Sequence, residues 1–446
     1  MTKVVTRFAP SPTGKFHVGG IRSALYNYLY ARKHGGVFIL RSEDTDPARS
    51  KKEYEDYFID VFKWLGLEYD QFYRQSDRTA IYRTYLEKLI EEGTAYISKE
   101  EVKEEGQRAE VIRFKNPNTT ITFKDEVLGE ISVDTSDLGD FVIARDIESP
   151  LYHFTVVVDD FEMGVTHIIR GQEHTSNTPR QILIQEAIGA PRPVYAHASI
   201  ILNNERAKLS KRDPLVRPAL EYKEIGYLPA AMLNFMALLG WNPGTEQEIF
   251  TLPELIEAFS LERMQKPGAI FNPEKMDWIN KEHLKHLSDE EFFAGVIPFI
   301  PASITDSPLY SETLLRKISP LLRERLAVFG EATTLFEEGE FDYLFAEPGV
   351  DMEKIVWKND TREGSREHLA EVLRRLESLD ESSWTNESIK ESIWNYAEEK
   401  GKGNVLWPTR MALTGKEKSA DPFTVASLLG KEKTLARLEY AIASLA

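Results

Sequence analysis

Two short segments carry the residue types that phosphate chemistry needs. The first, Pro10-Ser11-Pro12-Thr13-Gly14-Lys15-Phe16-His17-Val18-Gly19-Gly20, follows the apolar run Val4–Ala9 and leads into a helix-like stretch from Val18 to about His34. A strand, turn and helix in this order bring backbone N–H groups and the positive end of a helix to the turn, where an anion is stabilised. Gly14, Gly19 and Gly20 let the backbone approach a ligand, and His17 adds a donor. The second segment, Lys208-Leu209-Ser210-Lys211-Arg212, sets three cations in a loop between Asn203-Asn204 and Asp213-Pro214. Each lysine is a compact charge on a flexible stem, able to follow a moving phosphate. Singly, a glycine-rich turn is an ordinary turn and a basic run is usually a solvated surface. Together they form a phosphate cradle and a cationic clamp, the parts of nucleotidyl transfer. Neither segment matches G-x-x-x-x-G-K-[ST] or G-x-G-x-x-G, so P-loop and dinucleotide readings lose support.

The elements that must position these residues read strand, helix, strand, helix at the start. Val37-Phe38-Ile39-Leu40 is a buried-type strand, and Asp46 before Pro47 predicts a helix cap with proline in the first turn. The following helix carries Tyr54, Phe58, Val61, Phe62 and Leu65 at helical spacing. The alternation predicts a parallel sheet covered by helices, residues 1–70. Over 71–149 a helix around Tyr82–Gly93 precedes strand-like pieces at Glu110–Phe114, Thr120–Phe123 and Glu130–Val133, an α+β insertion with a turn at Asn116-Pro117-Asn118. The sheet pattern resumes within 150–230, with strands expected at His153–Val158 and His167–Arg170 and a helix from Ser176 or Asn177. Residues 231–300 read as a helical connector. Beyond Pro301 the chain is helix-rich, with Leu369, Val372, Leu373, Leu376 and Leu379 on one amphipathic helix.

With 446 residues, the chain needs two to four domains. Its balance of 42% hydrophobic and 28% charged residues excludes global disorder. Cysteine is absent, which removes disulfides and cysteine zinc sites. The net charge of −17 argues against indiscriminate nucleic-acid binding but leaves room for a local basic face. There is no signal-like N-terminus and no membrane-length apolar run, so a cytoplasmic protein is expected.

In order and context, the two segments resemble the signatures of class I aminoacyl-tRNA synthetases, HVGG standing for H-I-G-H and KLSKR for K-M-S-K-S. RFAPSPTGKFHVGG, LRSEDTDPARS, VVDDFEMGVTHIIRGQEHTSNTPRQ and LNFMALLGWNPG look like the glutamyl-tRNA synthetases, from about residue 3 to about residue 290. The likeness returns weakly in RMALTGKEK and LLGKEKTLARLEYAI. Glutaminyl relatives tend to carry R-F-D-D-T-N-P where this chain has Arg41-Ser42-Glu43-Asp44-Thr45-Asp46-Pro47, which favours the glutamyl branch.

The resemblance implies a Rossmann-type catalytic domain split by an acceptor-end-binding insertion (71–149), a stem-contact connector (231–300) and a helical anticodon-binding domain (301–446). It implies that glutamate is activated by ATP and transferred to the terminal adenosine of tRNA-Glu, with tRNA-Gln left open. His17, Lys208 and Lys211 would be catalytic, Lys211 meeting the leaving pyrophosphate. ATP would touch Pro10, Ser11, Thr13, Gly14, His17, Gly19, Gly20, Glu173, Leu209, Ser210 and Lys211. Arg7, Ser11, Glu43, Tyr152 and Arg170 would hold glutamate, two cations facing two carboxylates and one anion facing the ammonium. Of the arginines, Arg7 is favoured for the γ-carboxylate. Mg²⁺ would arrive with ATP, and no zinc is expected, unlike the cysteine-rich insertion of many bacterial members. A monomer is expected, with no membrane partner.

Other residues stay open. Glu173 and His174 lie near ATP or cap the next helix. Asp159-Asp160 form a turn or a tRNA-end contact. A metal role for His167, His174 and His197 has little support from spacing. Arg374-Arg375, Lys400, Lys402, Arg410 and Arg437 are solvated charges or RNA contacts. The rivals to this function are glutamyl transfer to a modified tRNA base, a tRNA-independent adenylate-forming ligase, and a non-catalytic RNA-binding module.

Overall fold

The computed structural model describes residues 3–101, 109–209, 213, 216–358 and 360–446. They form two compact units, Met1–His283 and Leu284–Ala446. The first begins β1 (Val5–Phe8), α1 (Val18–Lys33), β2 (Val37–Ser42), α2 (Lys52–Leu65) and β3 (Gln71–Arg74). These three strands make a parallel sheet with β2 in the middle, Val5 opposite Val37 and Ile39 opposite Gln71. Burial of Phe38 to Ser42 on both faces explains the unbroken apolar run of β2. Helix α2 lays Phe58, Val61, Phe62 and Leu65 on the core and stops at Gly66, whose φ of 67° favours a residue without a side chain. Asp46 does not cap it. Its Oδ1 accepts from Ala48 N at 3.2 Å, and the chain makes a separate turn before the helix opens at Lys52. The Asp-Pro pair initiates a turn as readily as a helix.

Next come α3 (Thr79–Glu91), β4 (Ala95–Lys99), β5 (Glu110–Phe114), β6 (Thr120–Asp125), β7 (Gly129–Asp134) and β8 (Phe141–Ala144). Strands β4, β5 and β8 form a small antiparallel sheet. The β6–β7 hairpin instead joins the strands that follow: α4 (Tyr152–Glu162), β9 (His167–Gly171), α5 (Thr178–Ile188) and β10 (Val194–Ala198) give a second sheet ordered β7-β6-β10-β9. One apolar core runs through both parts, from Leu86, Phe114 and Phe123 to Phe154, Ile182 and Tyr195.

His153–Val158, expected as a strand, lies inside helix α4. Its β-branched run favours a strand locally. Burial of Phe154 through Asp160 between neighbouring elements overrides that preference. Helix α5 starts at Thr178 with Pro179 in its first turn, close to the expected position. The unit closes with β11 (Ile201–Leu202), α6 (Ala219–Glu224), α7 (Pro229–Leu238), α8 (Leu252–Ala258), β12 (Ala269–Ile270) and α9 (Pro273–His286). Helix α1 is buried on nearly every side, and Tyr26 donates to the carbonyls of Ala237 (3.1 Å) and Leu239 (3.0 Å) at the end of α7.

The second unit is helical throughout its described elements. Leu369, Val372 and Leu376 are buried on the helix Arg362–Glu377, as their spacing predicts, whereas Leu379 lies past its end. Arg437 is not a solvated charge. It is 6% exposed and donates to the carbonyls of Tyr343 (2.8 Å) and Leu413 (2.7 Å), so it is committed to the fold. No helix among the described residues is long and apolar enough to cross a membrane.

Candidate active site

Strands β1 and β9 meet along a seam. Thr166 N donates to Val5 O at 2.9 Å, and Val5 N donates to Thr166 Oγ1 at 2.8 Å. From this seam the parallel strands run outward on opposite sides, β2 next to β1 and β10 next to β9. Such a switch in strand order opens a crevice at the carboxyl ends of the strands. Asn27 of α1 clasps the seam, donating to Ile169 O at 2.8 Å and accepting from Thr6 Oγ1 on its own carbonyl at 2.9 Å. Arg7 stands near the end of β1, Arg170 near the end of β9, and Glu43 just past β2.

All five residues expected around glutamate line one cavity of about 290 Å³: Arg7, Ser11, Glu43, Tyr152 and Arg170. Its two arginines differ in electrostatic state. Arg7 is paired, Nε to Asp160 Oδ1 at 3.1 Å and Nη2 to Oδ2 at 3.3 Å. Arg170 is 7% exposed and has no carboxylate partner among the described residues. Its Nε donates to His197 Nε2 (3.2 Å) and its Nη2 to Thr178 Oγ1 (2.9 Å), while the buried Nη1 has no partner. Burial lowers the Arg170 pKa, the mark of a cation without its counter-ion. Burial raises the pKa of Glu43 against the pull of Arg41 and Arg7. It raises that of Tyr152 too, with Glu43 adding to the shift. An incoming anion would relieve Arg170, and an incoming cation would relieve Glu43.

A larger cavity of about 570 Å³ adjoins this one, and the two share Phe8, Ser11, Gly19, Gly20, Ser23, Gly171, Glu173 and His174 as walls. Every described residue expected around ATP lines it: Pro10, Ser11, Thr13, Gly14, His17, Gly19, Gly20, Glu173 and Leu209, with Lys208 beside them. The first motif makes a turn closed by Thr13 N to Ser11 O at 2.8 Å, and α1 begins immediately after His17. Lys208 sits on a tight return from β11, where Leu209 N donates to Ile201 O at 2.9 Å. The chain then comes back to the first motif. Ala219 N donates to Phe16 O at 2.8 Å, and Pro218 bridges His17. Ser210, Lys211 and Arg212 lie outside the described residues.

Glu173 and His174 stand in a 3₁₀ turn, Gln172–Asn177, ahead of α5, facing both cavities. Burial, with Arg170 nearby, lowers the His174 pKa to about 4. Among the described residues, no group of three or more His, Asp or Glu is arranged to hold a metal ion. His167 contacts Thr166 and Tyr30, and His197 contacts Asp125 and Arg170.

Asp159 and Asp160 form neither a turn nor an exposed contact. They are buried near the end of α4 and organise a cluster of alternating charge. Arg41 reaches Asp160 at 2.8 Å, Glu43 at 3.2 Å and Asp159 at 3.7 Å. Arg78 donates to Asp159 at 2.7 Å, and Gln75 and Tyr82 each donate to it at 2.8 Å. Burial disfavours the Arg41 charge, but Asp160, Glu43 and Asp159 outweigh it. Arg41, Gln75, Arg78 and Tyr82 were not singled out from the sequence. The one available signal was a charged residue inside an apolar strand, Arg41 after Leu40, which demands a buried partner. Gln75 and Tyr82 also border a third cavity of about 690 Å³, lined by Asp44, Thr45, Asp46, Arg49 and Arg145 and sharing Ser11, Glu43 and Tyr152 with the first.

Comparison with known proteins agrees with this geometry. The model of class I tRNA synthetases (E and Q), catalytic domain, matches residues 3–110 and 97–278, and an anticodon binding domain matches 291–442. Glutamate–tRNA ligase of Carboxydothermus hydrogenoformans is 39% identical over 98% of this chain and 99% of its own length. That of Aquifex aeolicus is 38% identical, covering 98% of each. Among solved structures, a glutamate tRNA ligase from Elizabethkingia meningosepticum, in complex with its amino acid, superposes with a TM-score of 0.86 at 32% identity, covering 100% of both chains. Crevice, motif order and full-length similarity agree: the chain belongs to the glutamate–tRNA ligase family of class I aminoacyl-tRNA synthetases.

Proposed function

We propose that this chain activates L-glutamate with ATP and transfers it to the 3′-terminal adenosine of tRNA-Glu at the two joined cavities. One observation carries the placement. Arg170, buried and without a carboxylate partner among the described residues, opens onto the cavity that also holds Arg7, Glu43 and Tyr152. A diacid with one ammonium supplies the charges that this pocket lacks. Glu43 takes the ammonium, Arg7 the γ-carboxylate and Arg170 the α-carboxylate, which leaves the α-carboxylate beside the larger cavity.

ATP occupies that larger cavity, its phosphates along the turn from Pro10 to Gly20. A glutamate α-carboxylate oxygen attacks the α-phosphorus and pyrophosphate leaves. His17, Lys208 and Lys211 stabilise the charge on the phosphates as the bond breaks. Mg²⁺ would arrive on the triphosphate and lower its charge. The terminal 2′-OH of tRNA then attacks the activated carbonyl and AMP leaves. The third cavity, open to the same Ser11, Glu43 and Tyr152, offers that end a way in. Catalysis here is positioning and electrostatics, with no covalent enzyme intermediate.

In the same reading, residues 1–70 and 150–230 are catalytic, 71–149 meet the acceptor end, 231–300 the stem, and 301–446 the anticodon. The enzyme works as a cytoplasmic monomer. Glutamine sets a neutral amide against Arg7 where glutamate brings a charge-assisted pair, so it is rejected by about two decades or more without editing. The test is aminoacylation with glutamate and ATP, using purified tRNA-Glu and tRNA-Gln separately. Charging of neither would remove the proposal, and the ratio of the two sets the tRNA specificity.

A further inference from the structure

Arg170 is held from behind by two buried groups that the reaction itself never touches. Three nitrogens of its guanidinium carry donors. Nε is committed to His197 Nε2 at 3.2 Å, Nη2 to Thr178 Oγ1 at 2.9 Å, and Nη1 is left over. An arginine only donates, so His197 Nε2 has to accept. The imidazole proton therefore rests on Nδ1, which meets Asp125 Oδ2 at 2.6 Å. Asp125 is fixed in its turn by the backbone. Its Oδ1 accepts from Val127 N at 3.0 Å and Leu128 N at 2.8 Å, and the His197 N–H lies 3.2 Å from Oδ2. The His197 and Asp125 side chains have no solvent exposure. Burial lowers the His197 pKa against the pull of Asp125, which keeps the ring neutral and Nε2 an acceptor.

The arrangement spans three parts of the chain. Asp125 ends β6, inside the inserted region, and pairs there with Tyr195 of β10. His197 and Arg170 sit opposite each other on β10 and β9. A guanidinium held by Nη2 alone would swing about that bond. The second anchor, at Nε, fixes its plane and leaves one edge for a ligand.

We propose that Asp125 and His197 are positioning residues for a substrate carboxylate: Asp125 sets the His197 tautomer, and His197 orients Arg170 so that its unused edge meets the ligand. This rests on the reading of the inner cavity as the glutamate site.

Asp125→Asn separates positioning from bulk. The amide has the shape of the carboxylate and keeps its oxygen toward Val127 and Leu128. Its NH₂ then faces Nδ1 and drives the imidazole proton to Nε2, where it opposes the Arg170 donor. The glutamate KM should rise roughly tenfold or more, with the ATP KM unchanged. Nitrogen-15 spectra of histidine-labelled enzyme should show the His197 proton moving from Nδ1 to Nε2. His197→Gln, which keeps an acceptor toward Arg170, should retain most of the glutamate affinity that His197→Leu loses. That pair carries the test if the Asp125 variant fails to fold. Arg170→Lys is the reference. If it raises the glutamate KM while Asp125→Asn does not, or if Asp125→Asn raises both KM values alike, the positioning role is overturned. If Arg170→Lys leaves glutamate dependence unchanged, the pocket assignment itself is overturned.

Discussion

Arg7 and Asp160, 153 positions apart, form a two-point ion pair with both side chains buried, Nε to Oδ1 at 3.1 Å and Nη2 to Oδ2 at 3.3 Å. The same carboxylate holds Arg41 at 2.8 Å, so one acid neutralises the pocket wall and anchors the strand beside it. Replacing Asp160 with asparagine takes the paired carboxylate from buried Arg7 and leaves Arg41 with Glu43 and Asp159 alone. We expect a loss of about 3–5 kcal/mol, read from urea unfolding at neutral pH. An unchanged midpoint would show that the cluster is energetically slack.

Arg7→Ala should raise the glutamate KM by about two decades and leave the ATP KM within a few-fold, because the cavity it lines is the inner one and not the outer. Steady-state charging with each substrate varied in turn gives the answer. Equal increases in the two constants would place Arg7 in general scaffolding.

Lys211→Ala should slow adenylate formation by orders of magnitude while tRNA affinity, measured by filter binding, stays nearly intact. Matching losses in both would move this lysine from phosphate chemistry to RNA contact.

The two glycines that open α1 should respond in opposite ways. A Cβ at Gly19 would meet nothing nearer than Ile201 Cδ1 at 3.9 Å, and alanine favours a helix. A Cβ at Gly20 would fall 2.2 Å from Phe16 Cε2, on a buried ring packed edge-on to Phe8. Gly20→Ala should therefore cost about 1–3 kcal/mol, and Gly19→Ala should be neutral or stabilising. Thermal melts of the two variants make the comparison; similar melting temperatures would show that Phe16 yields freely.

Two partly buried histidines set an acid limit. Burial holds the His153 pKa at about 4, helped by Arg180 and Arg170, and burial with Arg170 does the same for His174. Unfolded histidine takes its proton near pH ~6.5. Below that value the unfolded chain binds more protons than the folded one. Stability should thus fall as pH drops from about 6.5 through about 4, with no contribution from these groups above that window. Urea midpoints across the range test this, and His153→Gln should flatten the slope. A slope unaltered by that change would assign the acid sensitivity to other groups.

Much of this site was legible because local chemistry points one way there. The glycines and His17 of the first motif belong to a turn before a helix, and a turn before a helix is what forms. Arg7 and Arg170 stand near strand ends and Glu43 just past one, where parallel folds collect their ligands. What stayed hidden depends on distant pairing. Valines 156 to 158 prefer a strand in isolation, and only the packing around α4 makes them helical. Asp159-Asp160 resemble a turn until Arg41 and Arg78 arrive from far upstream. The β6–β7 hairpin reads as part of an insertion, because strand register across the sheet is absent from the local pattern. The role of His197 was not legible, since its partners Asp125 and Arg170 are separated from it by 72 and 27 positions.

The long loop closed by Arg7, Arg41 and Asp160 has a consequence for biogenesis. The ribosome delivers both arginines 153 and 119 residues ahead of their shared acid. At a synthesis rate of roughly 5–20 residues per second that is a delay on the order of ten seconds. Throughout it the nascent chain carries both arginines without the acid they share, and only Glu43 stands ready beside Arg41. The first half of the catalytic unit cannot close early, and a fragment ending before Asp159 should remain expanded. Folding of this unit is thereby postponed until its second half has emerged.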